Sequence, residues 1–76
     1  MKDLIEYIAK RLVDRPDEVV IREVAGVTTF VYELRGGEEE ISKIVGKHGR
    51  TISAIRIVLN AVATKQHKRV VLEILE

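Results

Sequence analysis

Seventy-six residues, 46% hydrophobic and 33% charged, are enough for one folded domain over 1–76, which at this size buries roughly 60% of the surface of its unfolded chain. The absence of cysteine excludes disulfides and thiolate metal centres. Thirteen basic against twelve acidic residues leave a net charge of +1, which on its own does not imply a polyanionic partner. No apolar run approaches the roughly eighteen residues of a membrane span, and no signal-like N-terminus precedes the first helical pattern, so a cytoplasmic protein without a cofactor or membrane partner is expected.

Asp3 is placed to cap a first helix, with Glu6 three residues on in a capping-box arrangement. Leu4, Ile5, Ile8, Ala9, Leu12 and Val13 give that helix one apolar face. Pro16 turns the chain. Residues 19–24 are rich in β-branched side chains and read as a strand; Ala25-Gly26 is the turn, and 27–35 form a second strand. The short connection predicts an antiparallel hairpin with Phe30, Tyr32 and Leu34 on the buried face. Gly36-Gly37 breaks the strand, and Glu38, Glu39 and Glu40 open the next helix, where negative charge suits the dipole. Three acids in a row could suggest a metal or catalytic cluster; stabilisation of a helix start on a solvated face is the better reading.

The most informative stretch follows. Ile41, Ile44 and Val45 before Gly46-Lys47-His48-Gly49, and Ile52 and Ile55 after it, predict two helices joined end to end by a four-residue loop. Gly46 suits the left-handed residue that ends a helix, and Gly49 suits the N-cap of the next, with Arg50 and Thr51 in its first turn. The first amides of a helix lack intrahelical partners and carry partial positive charge. Bare glycines let a phosphodiester approach them, and Lys47 and Arg50 add full charges.

The second helix of the pair is expected over 50–64, with Ser53, Arg56, Asn60 and Thr64 as one narrow polar stripe. The remaining apolar arc is wider than one sheet contact needs, which points to a further neighbour; Ala54, Ile57, Val58 and Ala61 are the candidates for an exposed strip. Residues 65–68 connect to a last strand over 70–75, with Val70, Leu72 and Ile74 on one face. The order helix, strand, strand, helix, helix, strand gives an α+β domain with three helices on one face of a three-stranded sheet, the last strand parallel to the second. Basic residues gather around the loop (Lys43, Lys47, His48, Arg50, Arg56) and near the last strand (Lys65, His67, Lys68, Arg69).

Residues 44–52, Ile-Val-Gly-Lys-His-Gly-Arg-Thr-Ile, resemble the signature of the KH domain, a single-stranded nucleic-acid binder whose Gly-x-x-Gly loop clamps about four backbone nucleotides. The element order is similar to the type II, mixed-sheet form of that fold, and the whole chain resembles the small bacterial single-KH proteins of the KhpA type. The resemblance implies backbone contact by Gly46, Lys47, His48, Gly49 and Arg50, and a base groove flanked by Ile44, Val45, Ile52 and Ile55 and by Lys68 and Arg69. It also implies single-stranded RNA as the partner, with single-stranded DNA an alternative. The resemblance also implies pairing with a larger KH protein of the Jag type, and the apolar arc of the long helix makes a homodimer the other expectation.

Only Tyr7, Phe30 and Tyr32 are aromatic. Base stacking, worth about 1–3 kcal/mol per base, is therefore scarce, which implies modest affinity and little sequence selectivity. An enzyme is disfavoured by two histidines, no cysteine and no acid pair near the loop. The loop also lacks the Gly-x-x-x-x-Gly-Lys-Ser/Thr spacing of a nucleotide-binding loop. The stronger rival reading is an interaction module built on the apolar arc of the long helix.

Overall fold

The structure, a computed structural model, describes residues 1–75. Helix α1 (Lys2–Leu12), strand β1 (Val20–Ala25), strand β2 (Thr29–Arg35), helix α2 (Glu38–Val45), helix α3 (Arg50–Lys65) and strand β3 (Arg69–Leu75) follow in the expected order. The sheet order is β1-β2-β3: β1 pairs antiparallel with β2 from Val20↔Arg35 to Ala25↔Phe30, and β3 pairs parallel with β2 from Thr29↔Arg69 to Arg35↔Leu75. The fold is α+β, three helices and a three-stranded mixed sheet, because an αα crossover is long enough to return the chain in the parallel sense.

Alternation along the strands sends Ile21, Tyr32, Leu34 and Leu72 into the core, where they meet Ile5 and Ala9 of α1, Ile41 and Ile44 of α2, and Ile52, Ile55 and Leu59 of α3. Each isoleucine or leucine among them, fully buried, contributes about 1.5–3 kcal/mol. The Tyr32 hydroxyl is buried without a partner at hydrogen-bonding geometry. Burial, reinforced by the Glu23 carboxylate opposite it on β1, pushes its pKa well above the phenol range, so it stays protonated. The opposite face of the sheet carries exposed Val20, Val24 and Val71 and an Arg22–Glu33 ion pair at 3.7 Å.

Three local expectations change. Helix α1 begins two residues early, with Met1 rather than Asp3 at the N-cap and no side-chain cap. Asp3 therefore lies inside the first turn, the expected capping box does not form, and the Met1 carbonyl accepts from the Leu4 and Ile5 amides. Glu6 pairs instead with Lys2 at 3.8 Å. In the hairpin, the Gly26 amide donates to the Thr29 carbonyl at 2.9 Å, which lengthens the turn and leaves Val27 exposed at its tip rather than in β2. Finally, Glu40 is not on a solvated face: only 4% of its surface is exposed. Its carboxyl converges with that of Glu18 over Gly37, whose missing Cβ would lie 2.9 Å from Glu40 Oε1 and 3.7 Å from Glu18 Oε2. Hydrogen bonding to Glu18, then burial and the like charge of Glu18, raise the Glu40 pKa.

Candidate nucleic-acid interface

Helix α2 stops because Gly46 adopts φ 77°, ψ 176°, a conformation open to glycine, with its amide still bonded to the Ser42 carbonyl at 2.9 Å. This is not the left-handed helical cap expected. The missing Cβ also makes room for α3, since a methyl at Gly46 would sit 2.1 Å from Thr51 Oγ1 and 2.6 Å from Thr51 Cβ. Gly49 does take the N-cap of α3 in the left-handed conformation (φ 71°, ψ 14°), and nothing lies within 4 Å of where its Cβ would be. His48, directly before it, is left-handed as well (φ 57°, ψ 25°), a region histidine enters more readily than most residues. The bare surface facing outward thus belongs to Gly49, whereas that of Gly46 is filled from within.

Lys47, His48 and Arg50 are exposed around this turn. Among the described residues neither Lys47 nor Arg50 pairs with a carboxylate, so both charges add to the open amides of the first turn of α3. Lys43, on α2, is engaged: it pairs with Asp14, which raises the lysine pKa and lowers the aspartate's. Ile44 and Ile52 lie in the core beneath the loop and hold the two helix ends together, while Val45 is half-buried against the same cluster.

A groove of about 590 Å³ runs between α3 and β3, lined by Leu59 and by Val70, Leu72 and Ile74. Its polar side chains from α3 are Arg56 and Asn60. Arg56 Nη2 donates to the Leu72 carbonyl at 3.0 Å, and Asn60 Nδ2 donates to the Arg56 carbonyl at 2.9 Å. Neither residue was singled out for the site from the sequence. The signal was the polar stripe on α3, of which Arg56 and Asn60 line the groove while Ser53 and Thr64 do not.

Lys68 and Arg69 are not beside the loop. Helix α3 ends in a Schellman-type cap, with left-handed His67 in the usual glycine place and the Lys68 amide bonded to the Ala63 carbonyl at 2.9 Å. These residues therefore sit beyond the C-terminal end of a 16-residue helix, about 24 Å from the loop at its start. The Lys68 ammonium lies 4.4 Å from the centroid of the Phe30 ring, and Arg69 takes the register opposite to the inward-facing Val70. No group of three or more histidine, aspartate or glutamate side chains among the described residues could hold a metal ion, and no helix among them is long and apolar enough to cross a membrane.

Two helices joined by Gly-x-x-Gly in an αββααβ fold with a β1-β2-β3 sheet define a KH domain of the type II form. Residues 2–74 match the family model described as the KhpA/KhpB KH domain, and the chain belongs to that family. It is 54% identical over 76 residues to the RNA-binding protein KhpA of Chlamydia caviae, covering all of this chain and 97% of that one. It is similarly 51% identical over 75 residues to RNA-binding protein KhpA of Clostridium acetobutylicum, with 99% and 100% covered. Against RNA-binding protein KhpA of Aquifex aeolicus the identity is 49% over 76 residues, with 100% and 96% covered. No solved structure matches the chain significantly.

Proposed function

We propose that this protein binds single-stranded RNA, clamping the phosphodiester backbone on the Gly46–Gly49 loop and laying bases along the α3–β3 groove. The observation that carries this reading is the outward-facing Gly49 at the start of α3, with the unpaired Lys47 and Arg50 on either side. Relatives of nearly the same length are named as RNA-binding proteins, which supports it. His48 adds a donor for phosphate or the 2′-hydroxyl, and Ile44, Val45 and Ile52 act from beneath by fixing the loop. Lys68 and Arg69 meet the strand at the far end of the groove. Because most contacts are to phosphate, single-stranded DNA binds as well, more weakly. Tyr32 is buried and Phe30 is occupied by Lys68, so stacking contributes little and selectivity is coarse. A cytoplasmic role in post-transcriptional regulation or RNA chaperoning, within the single domain 1–76 and without catalysis, fits such a binder.

Replacing Lys47 and His48 together by aspartate puts two anions opposite the phosphates. Binding of single-stranded RNA in a fluorescence-anisotropy titration should be lost, while circular dichroism remains that of the folded protein, since both positions are exposed. Normal binding by the folded double variant would remove the loop from the interface.

A second reading stands beside the first: α3 also assembles the protein with a second copy or a larger KH protein of the Jag type. Ile57 is 70% and Val58 47% exposed, and with Ala61, Val62 and Lys65 they line a shallow, largely apolar depression that the other described residues leave open.

A further inference from the structure

We propose that Arg56 makes the groove selective by base class, favouring bases that carry a keto oxygen (guanine, uracil, cytosine) over adenine. The inference rests on the RNA-binding reading and goes beyond backbone clamping. The groove is lined by apolar side chains including Leu59, Val70, Leu72 and Ile74, with Glu73 from β3, and the one charged side chain that α3 contributes to it is Arg56. A guanidinium carries five N–H donors in a rigid fork and no acceptor. One of them is spent on the Leu72 carbonyl at 3.0 Å, which is on the outer strand of the sheet. That bond fixes the plane of the fork across the groove, and the Asn60 amide anchors the same turn of helix through the Arg56 carbonyl. The remaining donors have no carboxylate partner among the described residues.

The Arg56 side chain is otherwise exposed, so its oriented free donors are open to the acceptors of a bound base. Guanine presents O6 and N7, and uracil and cytosine present keto oxygens, all of which accept. Adenine has no keto oxygen: it accepts only at single ring nitrogens, and N1 and N7 both adjoin its exocyclic amine, so a fork bonded to either sets its second donor against an N–H, whereas guanine O6/N7 and cytosine O2/N3 are adjacent acceptors. Discrimination therefore comes from a repulsive as well as an attractive contact. An unstacked base in a single strand exposes these edges.

The test compares short uridine, cytidine and adenosine homopolymers bound to the wild type, to Arg56→Lys and to Arg56→Gln. Wild-type protein should bind the uridine and cytidine strands about tenfold more tightly than the adenosine strand, the scale of one good donor–acceptor pair. Arg56→Lys keeps the charge and one donor for the Leu72 carbonyl, so it should bind adenosine as before and lose the preference. Arg56→Gln should lose the preference and bind all three strands more weakly. Helical self-stacking of the adenosine strand is common to all three proteins and cancels in the comparison. Equal wild-type affinity for the three strands, or full preference retained in both folded variants, overturns the assignment of Arg56 while leaving RNA binding intact. Binding to none of the strands overturns the RNA-binding reading itself.

Discussion

Gly46 and Gly49 look equivalent in the motif but are required for different reasons. A Cβ at Gly46 overlaps the Thr51 side chain and must also live with φ 77°, ψ 176°. Gly46→Ala should lower stability by roughly 2–4 kcal/mol, from overlap plus backbone strain. Gly49→Ala meets nothing within 4 Å and costs only the left-handed conformation, about 1–2 kcal/mol. Urea unfolding of the two variants checks the ordering, and equal losses would contradict it. Glu40 gives a pH-dependent counterpart. Its pKa is raised above the ordinary glutamate value of 4.5, so its contribution to stability is fully present below that value and is lost as pH rises through the folded-state pKa. The Asp14–Lys43 pair acts with the opposite sign, losing its contribution as pH falls through the lowered Asp14 pKa. Glu40→Gln should flatten the decline in melting temperature above pH 4.5 and raise stability at neutral pH, because an amide can donate to Glu18 without a charge. A variant that melts like the wild type at every pH would show that the pair does not share a proton. The pairing was invisible in Glu38-Glu39-Glu40 as a string, since it depends on Glu18 arriving from another part of the chain.

Among the elements, α3 was the most legible and carries the most duties. Its spacing places Ile52, Ile55 and Leu59 in the core, Arg56 and Asn60 of its polar stripe line the groove, and Ile57 and Val58 remain on the outside. Helix α1 spends its apolar face on the main core through Ile5 and Ala9. Sedimentation at micromolar concentration should therefore show a dimer, and Ile57→Asp or Val58→Asp a folded monomer, since a charge buried at the contact costs several kcal/mol. A wild-type monomer, or mutants that dimerise normally, would rule this strip out. The less legible elements were those set by backbone detail. The start of α1 depended on the Met1 carbonyl, and the hairpin tip on a Gly26–Thr29 bond. Lys68 and Arg69 do lie at the connection into β3, but the left-handed His67 and the Schellman-type turn that return the chain there are not encoded by short-range pattern.

At the level of the whole molecule the net charge of +1 conceals its distribution. Lys43 is neutralised by Asp14, leaving Lys47 and Arg50 at the loop and the Lys68–Arg69 pair beyond the far end of the groove. If these meet about three phosphates, log K should fall with log salt at a slope near −2, and Lys47→Ala should reduce it by about 0.7. A slope unaffected by that change would mean Lys47 points away from the strand. The parallel pairing of β2 with β3 has a further consequence, in time rather than space. Each bonded pair, from Thr29↔Arg69 onward, joins residues far apart in sequence with both α2 and α3 between them, whereas the β1–β2 hairpin closes over a few residues. Long-range pairing is slow to form, so in refolding the hairpin amides should gain protection from exchange before those of β3. The outer wall of the groove is then the last part of the molecule to assemble, and a chain caught midway would own the turn proposed here for phosphate with nowhere to lay the bases.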